Sequence, residues 1–376
     1  MRIVQLANLV HPTSGGIGVV LDRLGAGYLA AGHRRAVITA ARADRCWTED
    51  DGTLRATLRG VALPGGGGYR VVVDRRRLRR LLTALAPDAI ELSDRLTLPW
   101  VAGWAHRRGV PVTIVVHERA EHALSTWLPA GIGAEAVAAR ADVRLARQPA
   151  RLVAPSAFAA GAFPEGTASV VPWGVDLTAF HPARRRPAGR NDVIQLVLVG
   201  RLSHEKRPEL AIEALRRLRG AGIPAELTVV GDGPLRDRLR RRSADLPVTF
   251  LGHRPTLEVA SVLAGADVCL APCPGEAFGL AALEALACGT PIAAAKTGGL
   301  PELLGVEAGR PELTPAGATA SSTPQAFAFA VERLLGLPEQ QRRHAARAAA
   351  ARWSWSSSIE AMLEHHARTV QLAAVA

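Results

Sequence analysis

The sequence predicts an α/β protein built from two doubly wound parallel sheets. Short β-branched runs alternate with longer segments rich in Ala, Leu and Arg, which is typical of βαβ units. Apolar runs such as VTIVV suit strands that are covered on both faces. The pattern occurs twice along 376 residues, and this length corresponds to two domains of roughly 150 residues each or somewhat more.

The first series of elements predicts a domain over residues 1–180. A Gly-rich turn at Ser14–Gly18 follows the first strand and leads into a helix, and a second helix is predicted over Asp74–Leu85. The strands are predicted at Arg2–Ala7, Ala36–Ala40, Asp88–Leu92, Val112–Val116 and Arg151–Ala154.

The second series predicts a domain over residues 193–352. Residues 181–192 precede it and contain two prolines, a glycine and four arginines without periodicity, which indicates a linker. The predicted strands are Ile194–Val199, Glu226–Val230, Val248–Leu251 and Asp267–Leu270; helices are predicted over 207–219, 234–242, near 256–264 and from about Phe278. In such sheets ligands bind at the carboxyl ends of the strands.

Composition excludes several classes of protein. No run approaches the ~18–20 apolar residues of a membrane span, and the first residues have no signal-peptide pattern, so we expect a cytoplasmic protein. Four cysteines do not form a disulfide framework, and Cys269 and Cys273 lack a second pair at zinc spacing, so we expect no metal. The net charge is +12, which either a bias toward Arg or attraction to an anionic surface would explain. Only 4% of residues are aromatic, which disfavours nucleic-acid binding.

One predicted helix concentrates the positive charge. In Asp74–Leu85 the leucines recur at helical spacing, and arginines, among them Arg75, Arg76, Arg79 and Arg80, occupy the opposite side. The helix is either an ordinary surface helix with its leucines in the core or a basic face for anionic lipid headgroups.

The segment Pro274–Pro291, PGEAFGLAALEALACGTP, is the most informative for chemistry. A helix from about Phe278 would present the free N–H groups of Phe278, Gly279 and Leu280, which form an anion site at a helix N-terminus. Glu276 would then precede the helix and accept a hydroxyl, and Glu284 would lie one and a half turns inside it and accept hydrogen bonds from a ribose. The alternative is a capping carboxylate and a solvent-facing glutamate.

Other polar residues also follow predicted strands. Arg201 and Lys206, in the segment GRLSHEK, would place two cations at the mouth of the second sheet and could neutralise a leaving diphosphate. His117 ends the strand VTIVVHE and would open onto the crevice of the first sheet. The turn around Gly16 permits close approach of a ligand to the backbone. Each of these residues also suits an ordinary structural position.

In this order the motifs resemble the retaining GT-B glycosyltransferases of glycosyltransferase family 4. The resemblance spans nearly the whole chain and includes the GGIG turn, VVHE, VAPSAF, GRLSHEK, VVGDGPLR and the Glu276–Glu284 segment. The segments VQLANLVHPTSGG, ELSDRLTLPW and VVHERAEH are most similar to actinobacterial-type GDP-mannose-dependent enzymes that build phosphatidylinositol mannosides. One departure is Trp173, where the family commonly has Asn.

The resemblance implies a fold of two Rossmann-like domains facing across a cleft and a role for each motif. A final helix over 353–376 would pack back on the first domain. Arg201 and Lys206 would bind the diphosphate of a nucleotide sugar, and Glu284 would bind the ribose. Glu276, with the amides of Phe278, Gly279 and Leu280, would bind the sugar and phosphates. Gly16 would lie under the diphosphate, and His117 would contact the transferred sugar.

Three hypotheses follow from these residues. The first is mannosyl transfer from GDP-mannose to a lipid acceptor by a protein that is peripheral on the inner face of the plasma membrane, with no cofactor besides the donor. The second is transfer from a UDP- or GDP-sugar to a soluble acceptor. The third is a non-catalytic basic binding protein on the same scaffold, which would have no need of the Arg201, Lys206, Glu276 and Glu284 set.

Overall fold

In a computed structural model the chain forms two compact α/β units. The first unit joins Met1–Pro172 to the last segment from Trp355, and the second is continuous over Trp173–Ser354. The structure describes residues 1–10, 15–63, 68–119, 134–185 and 192–375, so 186–191 of the expected linker lie outside it. Residues 181–185 belong to the second unit, where Pro182–Arg184 forms a 3₁₀ turn. Within these ranges no helix is long and apolar enough to cross a bilayer.

In its described residues the first unit contains ten strands and five helices before the chain passes to the second. Its strands are β1 (Arg2–Ala7), β2 (Arg34–Ala41), β3 (Arg45–Thr48), β4 (Leu54–Arg59), β5 (Val61–Ala62), β6 (Arg70–Val71), β7 (Ala89–Leu92), β8 (Val112–Val115), β9 (Arg151–Ala154) and β10 (Ala168–Val170). Its helices are α1 (Gly16–Ala30), α2 (Arg75–Leu85), α3 (Trp100–His106), α4 (Ala134–Ala146) and α5 (Ala157–Ala160).

The second unit repeats the alternation of strands and helices. Its strands are β11 (Ile194–Val199), β12 (Ala225–Val230), β13 (Val248–Gly252), β14 (Val268–Ala271), β15 (Ile292–Ala295), β16 (Leu313–Thr314) and β17 (Gly317–Ala320). Its helices are α6 (Pro208–Gly220), α7 (Arg236–Arg242), α8 (Thr256–Gly265), α9 (Leu280–Ala287), α10 (Leu300–Leu304), α11 (Pro324–Leu335) and α12 (Glu339–Ala351), and the helix α13 (Trp355–Val375) returns to the first unit.

Both large sheets are doubly wound, as the sequence predicts. The first has the order β10-β9-β8-β7-β1-β2-β4-β3, and the second has the order β13-β12-β11-β14-β15-β17-β16. Pairing is parallel except at one edge of each sheet, where β3 and β16 run antiparallel to their neighbours. Central strands such as β7, β8 and β15 are buried at every position, because helices cover both faces of the sheets.

The basic helix α2 forms where the sequence predicts it. Asp74 caps its N-terminus by accepting a hydrogen bond from the Arg77 amide at 2.9 Å. Leu78, Leu82 and Leu85 are buried on one face, and Arg75, Arg76, Arg79 and Arg80 are exposed on the other.

A buried polar network fastens α13 to the sheet of the first unit. The Glu91 carboxylate on β7 accepts hydrogen bonds from Tyr28 on α1 and from Gln5 on β1, and lies 2.6 Å from Nε2 of His366 on α13. Tyr28, Gln5 and His366 are fully buried. A Cβ atom on Gly27 would lie 2.4 Å from the Ile359 side chain, so glycine permits the close approach of α1 to α13. The last helix thus completes the first unit.

We predict that His365 makes the chain less stable in mild acid. His365 is 6% exposed, its Nε2 lies 3.1 Å from Thr113 Oγ1, and burial lowers its pKa to about 4. The unfolded chain, with a histidine pKa of about 6.5, therefore binds more protons below neutrality, and the free energy of unfolding falls as the pH falls. The free energy of unfolding should therefore fall between pH 7.5 and pH 5 by about 2 kcal/mol less in His365→Gln than in the wild type. Urea unfolding at the two pH values measures this.

The exposed His253 of the second unit supplies the control for this prediction. His253→Gln should leave the pH dependence of stability unchanged. An equal decline in wild type and His365→Gln would contradict the prediction.

Candidate active site

The second sheet has one topological switch point, between β11 and β14. From β11 the chain winds outward through β12 and β13, and then returns to place β14 on the other side of β11. The loops that follow β11 and β14 therefore run in opposite directions from adjacent strands. Open α/β sheets bind ligands in the crevice that such loops leave at the carboxyl ends of the strands.

The loop after β11 is held by close backbone packing. The Gly200 amide donates to the Val230 carbonyl and the Leu202 amide donates to the Asp232 carbonyl, each at 3.0 Å. A Cβ atom on Gly231 would lie 2.0 Å from the Gly200 carbonyl oxygen, and one on Gly233 would lie 2.4 Å from that of Leu202. Only glycine fits these two positions of the GDGP turn, so this turn braces the loop that carries Arg201.

Lys206 and Glu276 meet across the switch point. Lys206 ends a short 3₁₀ turn after β11, and its Nζ lies 2.7 Å from Oε2 of Glu276 in the loop after β14. The lysine side chain is 35% exposed and the glutamate side chain 24% exposed. Burial lowers the pKa of Lys206, but the neighbouring acidic groups, Glu276 first among them, together raise it by more, so the pKa lies above its ordinary value and the ammonium stays charged.

Cys273 lies beside this ion pair without taking part in it. Its Sγ donates to the Glu205 carbonyl at 3.3 Å, and burial raises its pKa to about 12, so the thiol stays protonated. Cys269 is also buried with a pKa of about 12. In the described ranges no cluster of three or more His, Cys, Asp or Glu side chains could hold a metal ion.

The backbone of the Glu276 loop is fixed by the segment after β15. The Gly299 amide donates to the Glu276 carbonyl at 2.7 Å, and Thr297 Oγ1 donates to the Pro274 carbonyl at 2.9 Å. Gly298, at a φ of 86°, lets this segment approach, because a Cβ there would lie 3.0 Å from the Glu276 carbonyl oxygen. This role was not predicted from the sequence, although a TGG triplet directly after a strand is a usable signal.

The helix after Glu276 begins later than predicted. α9 starts at Leu280, whereas the sequence analysis placed its start near Phe278, and that placement is wrong. Gly279 caps the helix in the left-handed region at a φ of 97°, and Phe278 precedes it with its ring edge-on to Trp353 at 5.6 Å. The first-turn amides without an intrahelical acceptor therefore begin at Leu280 rather than Phe278.

Glu284 lies closer to the start of α9 than expected. It is four residues after Leu280, on the same helix face, rather than one and a half turns inside. Its side chain is half-buried, as is that of Arg201 in the loop after β11. The predicted residues of the second unit thus lie on the loops around its switch point, and Lys206 and Glu276 are in direct contact.

The two predicted residues of the first unit lie at the equivalent edge of its own sheet. Gly16 is the exposed first residue of α1, the helix that follows β1. His117 lies two residues beyond the end of β8, and burial lowers its pKa to about 4 against a small opposing effect of the Glu91 carboxylate. The imidazole is therefore neutral at physiological pH. Ser14 of the predicted turn lies outside the described residues.

Comparison with known proteins decides the family. The model named Glycosyl transferase 4-like domain matches residues 15–168, and the model named Glycosyl transferases group 1 matches residues 181–352. A Mycobacterium tuberculosis protein, GDP-mannose-dependent alpha-(1-6)-phosphatidylinositol dimannoside mannosyltransferase, is 40% identical over 373 residues, which cover 96% of this chain and 95% of that one. The chain belongs to the family 4 glycosyltransferases.

Other relatives of this glycosyltransferase agree in family and fold. D-inositol 3-phosphate glycosyltransferase of Segniliparus rotundus is 33% identical over 55% of this chain and 48% of its own length. Sucrose-phosphate synthase from Thermosynechococcus elongatus has a TM-score of 0.77 at 21% identity, with all of both chains covered. HepE of Anabaena, solved with UDP and glucose, has a TM-score of 0.70 at 18% identity over 98% of this chain and all of that one. These structures show that the fold is GT-B.

We predict that Gly279→Ala destabilises the glycosyltransferase more than backbone strain alone would. A Cβ atom at this position would lie 2.4 Å from Leu300 Cδ2 and would also occupy the left-handed region. Gly222→Ala is the matched control, because Gly222 has a φ of 80° and no atom within 4 Å of a Cβ. Gly222→Ala should lower the free energy of unfolding by about 1–2 kcal/mol because of backbone strain. Gly279→Ala should lower it by roughly 1–3 kcal/mol more because of the overlap with Leu300.

Both variants are to be measured by urea unfolding against the wild-type protein. Equal losses in the two variants would show that Leu300 yields to the added methyl group, and this would contradict the prediction.

Proposed function

We propose that the chain transfers a mannosyl group from GDP-mannose to a phosphatidylinositol mannoside acceptor at a membrane surface, with retention of configuration. The observation that carries the choice of substrates is the 40% identity, over 96% of the chain, to a mannosyltransferase named for GDP-mannose and phosphatidylinositol dimannoside. The charged loops at the switch point of the second unit support the transfer chemistry.

The proposed donor site uses the charges around Lys206. An ammonium group has three donors, and Glu276 accepts one of them, which leaves Lys206 able to donate to phosphate oxygens. Arg201 lies in the same loop as Lys206 and supplies a second cation for a leaving diphosphate. The amides at the start of α9 add the dipole of a helix N-terminus. This set stabilises negative charge without a metal ion.

The remaining residues orient the rest of the donor in this proposal. Glu276, held by Gly299 and Lys206, accepts hydrogen bonds from sugar hydroxyls, and Glu284 accepts them from the ribose. In the first unit, His117 contacts the transferred sugar as a neutral imidazole, since its pKa is about 4. The Gly15–Gly16 turn approaches the diphosphate; a Cβ at Gly15 meets no protein atom within 4 Å, so packing does not require glycine there.

We predict that the purified protein binds GDP-mannose with micromolar affinity when no metal is added, and binds UDP-glucose, UDP-GlcNAc and ADP-glucose more weakly. Isothermal titration calorimetry with the four donors measures this. Glu284→Ala should weaken GDP-mannose binding by about tenfold or more, because a lost hydrogen-bonded pair to a charged group is worth at least about 1.4 kcal/mol. Glu332→Ala, at an exposed position on α11, is the control and should bind as wild type does.

The donor panel separates the competing hypotheses. Preferential binding of a UDP-sugar would be consistent with a glycosyltransferase and would overturn the proposal that the transferred sugar is mannose. Binding of GDP-mannose followed by transfer to D-inositol 3-phosphate, with none to phosphatidylinositol dimannoside micelles, would favour the soluble acceptor, for which the 33% identical relative from Segniliparus rotundus argues. Binding of no donor would favour the basic binding protein.

The basic face of α2 supports the proposed membrane surface. Arg75 and Arg79 each place the guanidinium carbon 5.2 Å from the ring centre of Trp100, so an aromatic ring orients these two side chains. Arg77 instead pairs with Asp44. Arg76 and Arg80 are exposed and form no ion pair within the described residues. Arginines near an anionic bilayer contribute about 1 kcal/mol each.

We predict that Arg76→Glu/Arg80→Glu abolishes binding to vesicles of phosphatidylinositol and phosphatidylcholine while GDP-mannose binding is retained. Vesicle co-sedimentation at low and high salt measures the effect, because headgroup attraction is screened by salt. The matched control is Arg240→Glu/Arg241→Glu on α7, a second basic helix on which both of these arginines are exposed. Unchanged vesicle binding by the α2 variant, or an equal loss of vesicle binding in both variants, would rule out the α2 face as the specific membrane-binding surface.

A further inference from the structure

Arg95 is a buried arginine close to His117 that the proposed transfer chemistry does not use. It lies three residues beyond the end of β7, the strand that pairs with β8, and is 8% exposed. Its Nη1 donates to the carbonyl of Glu118, the residue after His117, at 3.0 Å. Its Nη2 forms an ion pair with Asp142 on α4, which is 4% exposed. One guanidinium group thus joins the turn after β8 to α4.

Two further contacts fix the position of this guanidinium group. Its central carbon lies 4.9 Å from the ring centre of Phe163, which is 6% exposed, so an aromatic face covers it. Its own backbone is held by the preceding Asp94, whose Oδ1 accepts hydrogen bonds from the amides of Leu96 and Thr97, each at 2.8 Å. Arg95 therefore projects from a hydrogen-bonded turn toward Glu118, Asp142 and Phe163.

The His117 segment is held on both sides. Before it, the Val116 amide donates to the Val153 carbonyl at 2.8 Å and extends the pairing of β8 with β9. After it, the carbonyl of Glu118 accepts from Arg95. The sheet fixes where the chain enters the turn, and Arg95 fixes where it leaves.

An ion pair in this setting is a poor means of adding stability. Desolvating two charges costs about as much as their attraction returns, and apolar side chains of similar volume commonly do as well. A guanidinium group offers geometry instead, because its planar fork donates in fixed directions to two acceptors at once, which an ammonium group does not. The main effect of this arrangement is therefore to fix the position of the backbone at Glu118.

We propose that Arg95 is a positioning residue for transfer: by holding the carbonyl of Glu118, it fixes the His117 side chain at the edge of the first sheet. The role of His117 toward the sugar rests on the proposed function above. The effect of Arg95 on His117 does not, and it can be measured without any turnover.

The first experiment compares Arg95→Lys with the wild-type protein in steady-state mannosyl transfer. Lysine keeps the charge beside Asp142 but lacks the planar fork that sets the directions to both acceptors, so kcat should fall about 100-fold while the KM for GDP-mannose stays within about twofold. Arg342→Lys is the matched control, because Arg342, on α12 of the second unit, is 6% exposed and pairs with Asp267 at 3.6 Å. It should leave kcat unchanged. Arg95→Ala should regain at least part of kcat when guanidinium or methylguanidinium ions are added at millimolar concentration.

The second experiment follows the His117 ring directly by NMR in histidine-labelled protein, with the signal assigned from His117→Gln. In the wild type this ring should titrate with a pKa of about 4, because burial lowers the pKa by more than the Glu91 carboxylate raises it. In Arg95→Lys the turn should open toward water, and the midpoint should rise toward the ordinary value of about 6.5. The signals of the exposed His253 should not move between the two proteins.

The outcomes are distinct. A fall in kcat together with a raised His117 midpoint supports the proposal. An unchanged midpoint overturns it, whether or not kcat falls, because any effect would then not pass through His117. A raised midpoint in a protein that transfers no mannose would keep the positioning role and overturn the proposed function.

Discussion

The ion pair between Lys206 and Glu276 is the contact on which the candidate site depends. It joins the two loops that diverge from the switch point, and each loop is braced from its far side by a different neighbour. The GDGP turn packs behind the loop of Lys206, and the segment after β15 packs behind the loop of Glu276. Both braces rely on glycines that let one backbone lie directly on another. A bound diphosphate would therefore meet charges whose positions are already set, which lowers the reorganisation needed on binding.

The sequence predicted the strands of this fold better than its turns. Runs such as Ile194–Val199 and Arg151–Ala154 agree with the structure at both ends, because a buried parallel strand leaves an unmistakable apolar run between polar loops. The start of α9 was misplaced by two residues, because Phe278 and Gly279 have no local feature that forbids a helix. The close packing of Gly279 against Leu300 joins residues that are distant in sequence, so no local pattern reveals it. The strands that were not predicted are β3, β4, β5, β6, β10, β15, β16 and β17. Most of them have only two to four residues, which is too short to give a clear pattern.

The candidate site was likewise predicted where local sequence determines it and missed where distant residues do. Residue types placed Arg201, Lys206, Glu276 and Glu284 on loops and a helix start near one edge of a sheet, but not in contact. The contact between Lys206 and Glu276 joins residues 70 positions apart, and it follows from strand order rather than from any local signal. Arg95 was missed for a related reason. It lay within a quoted motif, ELSDRLTLPW, yet its meaning comes from Asp142 and Glu118, which only the tertiary fold brings to it.

The position of α13 has a consequence for how the chain folds as it is made. The second unit is continuous, so every residue it needs has been synthesised once Ser354 is in place. The first unit is split: its buried Glu91 and Tyr28 lack the contact with His366, and Gly27 lacks the contact with Ile359, until α13 has left the ribosome. Although domains generally form in order from the amino end, here the later unit can finish first. The first unit keeps an open polar core until α13 is available, and during that interval it is exposed to chaperones and proteases.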